Sequence, residues 1–293
     1  MVTNKITFRK NVVILKTKLK HNEIQLEEKR ILDEVVNFLN KNRIKYCLFG
    51  GTLLGAIRHQ GFIPWDDDID IAIPRPDYDK LQNIIKNNNK LGNNLYFHSY
   101  ELKNLNMPFT KVYNYNIEIF DWRYKDKYEK YLWIDIFPID GLPSDEKENI
   151  LLFKKRDRLK KIMMYRKMSI KYMFINKEKV LKNIIKFIIK IIYSILPERL
   201  ITSKIIELNK NNYEDCEYAG NLVWGYGVKE RMDKKIFEEY IDVEFEGSTF
   251  KGLANYDKYL TNIYGDYMTL PPVDKRITHN FEAWRIDDEK DKE

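Results

Sequence analysis

Between residues 23 and 40 the apolar positions recur at intervals of three and four. Leu26, Ile31, Leu32, Val35, Val36 and Leu39 fall on one side with charged residues opposite, which predicts an amphipathic helix capped by Asn22. The pattern then shortens. Tyr46-Cys47-Leu48-Phe49 is a brief apolar run that stops at Gly50-Gly51, as a buried strand does before a turn. Residues 52–58 read as a short helix, broken at His59-Gln60-Gly61. Over residues 68–73 acids and apolar residues alternate with the period of a half-buried strand, and Pro74-Arg75-Pro76 ends it. Residues 77–87 return to helical spacing. Strands are predicted at 95–100, 109–113, 116–120 and 132–139, the last with Asp135 alone among apolar neighbours.

From residue 146 to 211 the chain is helical in pattern and rich in Lys, Ile and Met. Residues 220–249 read as strand and turn, punctuated by Gly225, Gly227 and Gly247, and residues 250–264 as helix. The order predicts a mixed α/β fold: a mixed sheet flanked by helices, with a helical, basic insertion. It divides into a catalytic core at 1–145, a basic helical segment at 146–211, and a part at 212–293 that completes the cleft.

Composition narrows the class only slightly. With 293 residues, 44% hydrophobic and 32% charged, the chain has the makings of a folded core and not of a disordered polymer. The net charge of +7 favours acidic partners: nucleotides, phosphate polymers, nucleic acid or an anionic membrane face. The two cysteines, Cys47 and Cys216, have neither metal-ligand nor redox spacing, so no disulfide framework is expected and a reducing cytoplasm is. Residues 1–10 are polar and no apolar run reaches the ~20 residues of a membrane span, so neither a leader nor a spanning segment is expected.

The chemistry concentrates in Trp65-Asp66-Asp67-Asp68-Ile69-Asp70-Ile71. Asp68 and Asp70, two apart on a strand, point to one face and repel unless protonated or bridged. Mg²⁺ or Mn²⁺ would bridge them through oxygen ligands, with Asp66 reaching the same face. Asp135, inside Trp133-Ile134-Asp135-Ile136-Phe137, would supply the further ligand or accept a proton from an incoming hydroxyl. Gly50-Gly51-Thr52, at a strand-to-helix junction, offers backbone amides to an anionic phosphate. A surface acidic turn with Asp135 in a salt bridge is the alternative. These features together predict a phosphoryl-transfer enzyme.

Residues 49–59, Phe-Gly-Gly-Thr-Leu-Leu-Gly-Ala-Ile-Arg-His, followed by Gly61-Phe62-Ile63-Pro64-Trp65-Asp66-Asp67-Asp68-Ile69-Asp70, resemble the signature of the LicD/fukutin family within the nucleotidyltransferase superfamily. Asp135-Ile136-Phe137-Pro138-Ile139-Asp140-Gly141-Leu142-Pro143 is similar to that family's second block. Tyr264-Gly265-Asp266-Tyr267, Leu270-Pro271-Pro272 and Lys275-Arg276 are similar to its C-terminal block. The resemblance implies a transferase that moves a phospho-alcohol from a CDP-activated donor to a sugar hydroxyl. Phosphocholine from CDP-choline, delivered to a cell-surface glycan, teichoic acid or lipid-linked precursor, is the bacterial theme; ribitol or glycerol phosphate is the related one. It further implies metals held by Asp66, Asp68, Asp70 and Asp135, with Asp135 as base. Lys111 resembles a family lysine that pairs with the diphosphate. Arg58, on the helix after the glycines, is a further substrate-binding candidate; for both, a solvated surface cation is the alternative. His279 is a weaker candidate than a structural histidine.

Lys179, Lys182, Lys186 and Lys190 form one stripe on an otherwise apolar run that Pro197 stops. This suits an interfacial helix (179–196) on an anionic inner leaflet; a core-packed helix with solvated lysines is the alternative. Tyr113, Tyr115, Trp122 and Tyr124 offer stacking surface for a base, a sugar or a quaternary ammonium, or serve as core and rim. Two competing functions remain. A nucleotidyltransferase using a nucleoside triphosphate would release pyrophosphate and not CMP. A basic nucleic-acid-binding module would show steep salt dependence but leaves Asp68, Asp70 and Asp135 unexplained, so no nucleic acid is expected.

Overall fold

The computed structural model describes residues 4–9, 12–124, 130–174, 180–276, 278 and 281–287. Lys179 and His279, named above, lie outside the described residues.

The chain opens with a hairpin, β1 (Asn4–Arg9) and β2 (Val12–Lys18), and continues into α1 (His21–Lys41). The helix begins one step before Asn22. The Glu23 carboxylate accepts from the Lys20 backbone N–H at 2.7 Å, so the reciprocal half of a capping box fixes the start. Ile24, Ile31, Leu32, Val35, Val36 and Leu39 are buried, whereas Leu26 faces solvent. Glu28 takes a place on the buried stripe, three residues before Ile31.

Next come β3 (Cys47–Leu48), α2 (Gly50–His59), β4 (Asp70–Pro74), α3 (Arg75–Ile85), β5 (Lys90–Gly92), β6 (Leu95–His98), β7 (Thr110–Phe120) and β8 (Tyr131–Leu142). Gly50-Gly51 is not a free turn: both residues belong to the first turn of α2. The two strands predicted at 109–120 are one, β7, with a register shift against β8 between Asn114 and Glu118. The sheet runs β1-β2-β13-β7-β8-β4-β3, β13 being Glu282–Asp287, with β6 on β7 and β9 (Tyr218–Gly220) on β8. β4 and β8 are parallel; the other pairings are antiparallel. Thus the sheet is mixed and flanked by helices, as the pattern predicts.

The basic segment folds as α4 (Glu146–Lys167), α5 (Ile170–Met173), α6 (Val180–Ser194) and α7 (Glu198–Ile206). β9 (Tyr218–Gly220) and β10 (Met232–Asp233) follow. Then β11 (Tyr240–Phe245) and β12 (Ser248–Leu253) form a hairpin. The helix predicted at 250–264 therefore starts late, as α8 (Tyr256–Tyr264). Glu246 and Gly247, at φ +49° and +69°, make the tight turn that commits residues 248–253 to a strand. The last strand, β13 (Glu282–Asp287), inserts between β2 and β7, a placement without a strong period-2 signature in the sequence.

Candidate active site

Strand register assembles the centre of the site. Asp70 on β4 is the partner of Asp135 on β8, and Asp135 is the partner of Lys111 on β7. Three neighbouring strands thus present acid, acid and cation in a row on one face. Lys111 Nζ lies 2.9 Å from Asp135 Oδ1 and 4.2 Å from the centre of the Trp133 ring. The Lys111 side chain is nearly fully buried, which makes it part of the site and not a solvated surface cation.

The acidic loop before β4 keeps a strand-like alternation. Asp66, Asp68 and Asp70 are half-buried, while Asp67 and Ile69 turn inward. The start of α2 is locked to β4: Phe49 N–H donates to the Asp70 carbonyl (3.0 Å), and Thr52 Oγ1 accepts from the Asp70 N–H (2.8 Å). Thr52 therefore positions the backbone of Asp70. Gly50 has φ +54°, and a Cβ there would sit 3.3 Å from Asp70 Oδ2; at Gly51 it would meet Asp66 Oδ2 at 2.9 Å. The two glycines let the positive end of α2 approach these carboxylates.

Burial raises the Asp70 carboxyl well above the usual carboxylate range, and Asp68, Asp135 and Asp66 push it further; the Lys111 ammonium offsets only part. Behind the loop, fully buried Glu28 is raised by desolvation and then by Asp68, Asp67, Asp66 and Asp70. Among the described residues its Oε2 has no hydrogen-bond partner.

A cavity of about 360 Å³ opens over this row. Gly50, Asp68, Asp70, Lys111 and Asp135 line it, together with Trp133, Trp224, Tyr226, Lys160, Lys167, Arg123 and Glu230, among others. The last seven were not identified as site residues from sequence. Lys160 and Lys167 come from α4, so the basic segment contributes a wall of the cavity. Burial pulls the Lys160 ammonium down to about 8, with nearby Arg156 adding to it; burial raises the Glu230 carboxyl to about 7. The Tyr226 and Tyr264 hydroxyls are 3.1 Å apart, and Tyr264 reaches within 3.8 Å of the Cβ position at Gly50. Tyr264, the last residue of α8, belongs to the C-terminal block noted in the sequence, whereas Tyr226 carries no such signal beyond its place between Gly225 and Gly227.

Arg58 is placed elsewhere. Its Nη1 donates to the Tyr267 carbonyl at 2.5 Å and its Nε to His59, and it is absent from the cavity wall. It ties α2 to the C-terminal block.

The donor chemistry of Asp66, Asp68, Asp70 and Asp135 is of the kind a hard divalent cation takes, and burial followed by the neighbouring carboxylates raises the Asp70 carboxyl. Among the described residues no three such groups are arranged to hold an ion by themselves.

Residues 43–175 match the family described as LicD/FKTN/FKRP, nucleotidyltransferase domain. The chain is 31% identical over 267 residues to lipopolysaccharide cholinephosphotransferase LicD of Haemophilus influenzae, covering 90% of this chain and 97% of that protein. It belongs to the LicD family. An uncharacterised protein of Rickettsia prowazekii is 47% identical over 72 residues, 25% of this chain and 26% of that one. Human ribitol 5-phosphate transferase FKRP is 51% identical over 39 residues, 13% of this chain and 8% of that one. Family membership supports a phosphotransferase that handles a phospho-alcohol.

Proposed function

We propose that the protein is a metal-dependent transferase that moves a phospho-alcohol, phosphocholine first among the candidates, from a CDP-activated donor to a sugar hydroxyl of a glycan or lipid-linked glycan. The observation that carries the reading is the row Asp70–Asp135–Lys111 beneath the cavity and beside the start of α2. A carboxylate pair of this kind, with a buried ammonium next to it, suits a diphosphate donor and an incoming hydroxyl.

Each residue then has a task. Asp135 accepts the proton of the attacking hydroxyl, and Lys111 orients that carboxylate while facing the phosphates with positive charge. Gly50 and Gly51 let the donor approach the N-terminal turn of α2, whose dipole favours anions. Trp133, Trp224 and Tyr226 exclude water from the cavity and offer ring faces to the alcohol. Asp66, Asp68, Asp70 and Asp135 would hold Mg²⁺ or Mn²⁺, which when bound would neutralise the diphosphate and acidify the acceptor hydroxyl.

The likeness of 39 residues to ribitol 5-phosphate transferase FKRP favours a second donor, a CDP-linked polyol. Incubation with a panel of CDP-alcohols, Mn²⁺ and glycan acceptors distinguishes the two by which donor yields CMP. Release of pyrophosphate from a nucleoside triphosphate, with every CDP-alcohol left intact, would overturn the proposal.

A further inference from the structure

Helix α6 is inside out. Its polar residues Asn183 and Lys190 face inward, 3% and 7% exposed, whereas Leu181, Ile185, Ile188, Ile192 and the following Ile195 are 72%, 49%, 48%, 58% and 86% exposed. Lys190 explains the inward face. Its ammonium donates to the carbonyls of Tyr165 (3.4 Å), Arg166 and Met168 (2.8 Å), closing the C-terminal end of α4. With Lys190 fixed there, the aliphatic half of α6 must point away from the protein. A continuous aliphatic helix face is a large apolar patch for a water-exposed surface.

The rim of that face indicates what covers it. Lys182 and Lys186, four residues apart, line one edge of the aliphatic half, and α6 contains no Asp or Glu. The adjoining α5 adds Lys171 and an exposed Ile170. Tyr172 of α5 packs edge to face with Trp122 at 5.1 Å, two rings of the kind found at the headgroup level of a bilayer. A second copy docked through the same face would bring lysine rims together with no α6 carboxylate to answer them. Among the described residues no helix is long and apolar enough to cross a membrane, so a lipid contact here is a surface one.

We propose that α6 lies in the interface of an anionic lipid leaflet and seats the protein on it. Its apolar half enters the headgroup–acyl boundary while Lys182 and Lys186 meet lipid phosphates. α4 stands between this face and the cavity: α6 packs on α4, and Met164 and Lys167 of α4 line the cavity. A lipid-borne acceptor would thus be held one helix from the carboxylates. The seating does not depend on which reaction the cavity performs.

Vesicle co-sedimentation tests this, using phosphatidylcholine alone and phosphatidylcholine mixed with phosphatidylglycerol. The full chain should pellet with the anionic vesicles at low salt and be released by high salt. Leu181→Glu/Ile185→Glu/Ile188→Glu, all at exposed positions, should stay in the supernatant while keeping the wild-type circular dichroism and melting temperature. Lys182→Gln and Lys186→Gln should each lower partitioning about fivefold on anionic vesicles only. Failure of the full chain to pellet, or equal pelleting of the triple variant, overturns the proposal. So does a concentration-dependent wild-type dimer, seen by analytical ultracentrifugation, that the triple variant dissolves; α6 would then be a contact between copies. Since no donor is used, a failed outcome here leaves the proposed reaction unaffected.

Discussion

Asp70 and Asp135 are register partners on the parallel strands β4 and β8, so the backbone ladder itself holds two carboxyls side by side at the mouth of the cavity. The backbone of Asp70 is held on both sides, its N–H donating to Thr52 Oγ1 and its carbonyl accepting from Phe49 N–H, so the strand cannot shift to separate the two residues. If the proposed cation sits between these carboxylates, losing it should cost stability. That opposition yields the first two predictions.

Asp70→Asn should abolish turnover and raise the melting temperature in EDTA at neutral pH. The Asp70 carboxyl is raised by burial, then by Asp68, Asp135 and Asp66. A group raised in the folded state contributes stability that is fully present below its ordinary value of 3.8 and is lost as pH climbs through the folded value. Asparagine removes this loss. Each kcal/mol recovered raises the midpoint by about 2–4 °C in a chain of this size class. Thermal scans of both proteins across pH would decide; a variant that melts lower at neutral pH contradicts the account.

Mg²⁺ or Mn²⁺ should stabilise the wild-type protein and not Asp70→Asn. An ion that binds only the folded state adds about 2.7 kcal/mol at a hundredfold excess over its dissociation constant. EDTA should stop turnover and added ion restore it. Titrations followed by melting temperature, with and without CDP-choline, are the check; a wild-type midpoint unmoved by the ion in both contradicts the account.

Lys111→Met should cost about 3 kcal/mol, the usual loss when one member of a buried pair is removed. The Asp135 carboxylate then loses the ammonium 2.9 Å away. Lys111→Met/Asp135→Asn should cost less than the two single variants together, because the second change removes the charge the first strands. Urea unfolding of the four proteins measures the coupling; strict additivity would place Lys111 outside the pair.

Much of this centre was legible in the sequence because strands translate pattern directly into geometry. An acid at every second residue and a lone acid in an apolar run needed only register to meet, and the sheet supplied it. The Gly50-Gly51 pair was legible as a special backbone but not as the first turn of α2, since helix starts shift by a residue or two with local capping. Glu28 was hidden because a charged residue on a helix reads as solvent-facing; only the loop folded against α1 buries it. Lys160, Trp224, Tyr226 and Glu230 reach the cavity through long-range packing that no local period encodes. On α6 the period was clear, but which half faces outward was decided by Lys190 and the carbonyls at the end of α4.

Gly50→Ala should lower both stability and activity. A side chain at φ +54° costs about 1–2 kcal/mol, and its Cβ would press on Asp70 Oδ2 at 3.3 Å. Gly247→Ala is the control: φ is +69°, yet nothing lies within 4 Å of the new Cβ. Both should melt lower, but only Gly50→Ala should lose turnover beyond what unfolding explains. Equal specific activities after correction for folded fraction would remove Gly50 from the site.

Glu230→Gln should change the pH dependence of stability in a window separate from that of Lys160. Burial raises the Glu230 carboxyl from 4.5 to about 7, against the lowering pull of the Tyr226 and Asn221 amides. Its contribution is fully present below 4.5 and is lost as pH rises to about 7, because the folded state holds the proton longer. The span is ~2.5 pH units, or about 3 kcal/mol at roughly 1.4 kcal/mol for each. The stability of Glu230→Gln relative to wild type should therefore improve by about that amount between acid and neutral pH. Lys160 behaves in the opposite sense. Its ammonium is lowered from 10.5 to about 8, so the unfolded chain holds the proton longer and stability rises with pH between those values. Urea midpoints at a series of pH values for wild type, Glu230→Gln and Lys160→Met separate the two effects. Parallel curves for wild type and Glu230→Gln through the acidic window would show that this carboxyl does not titrate there.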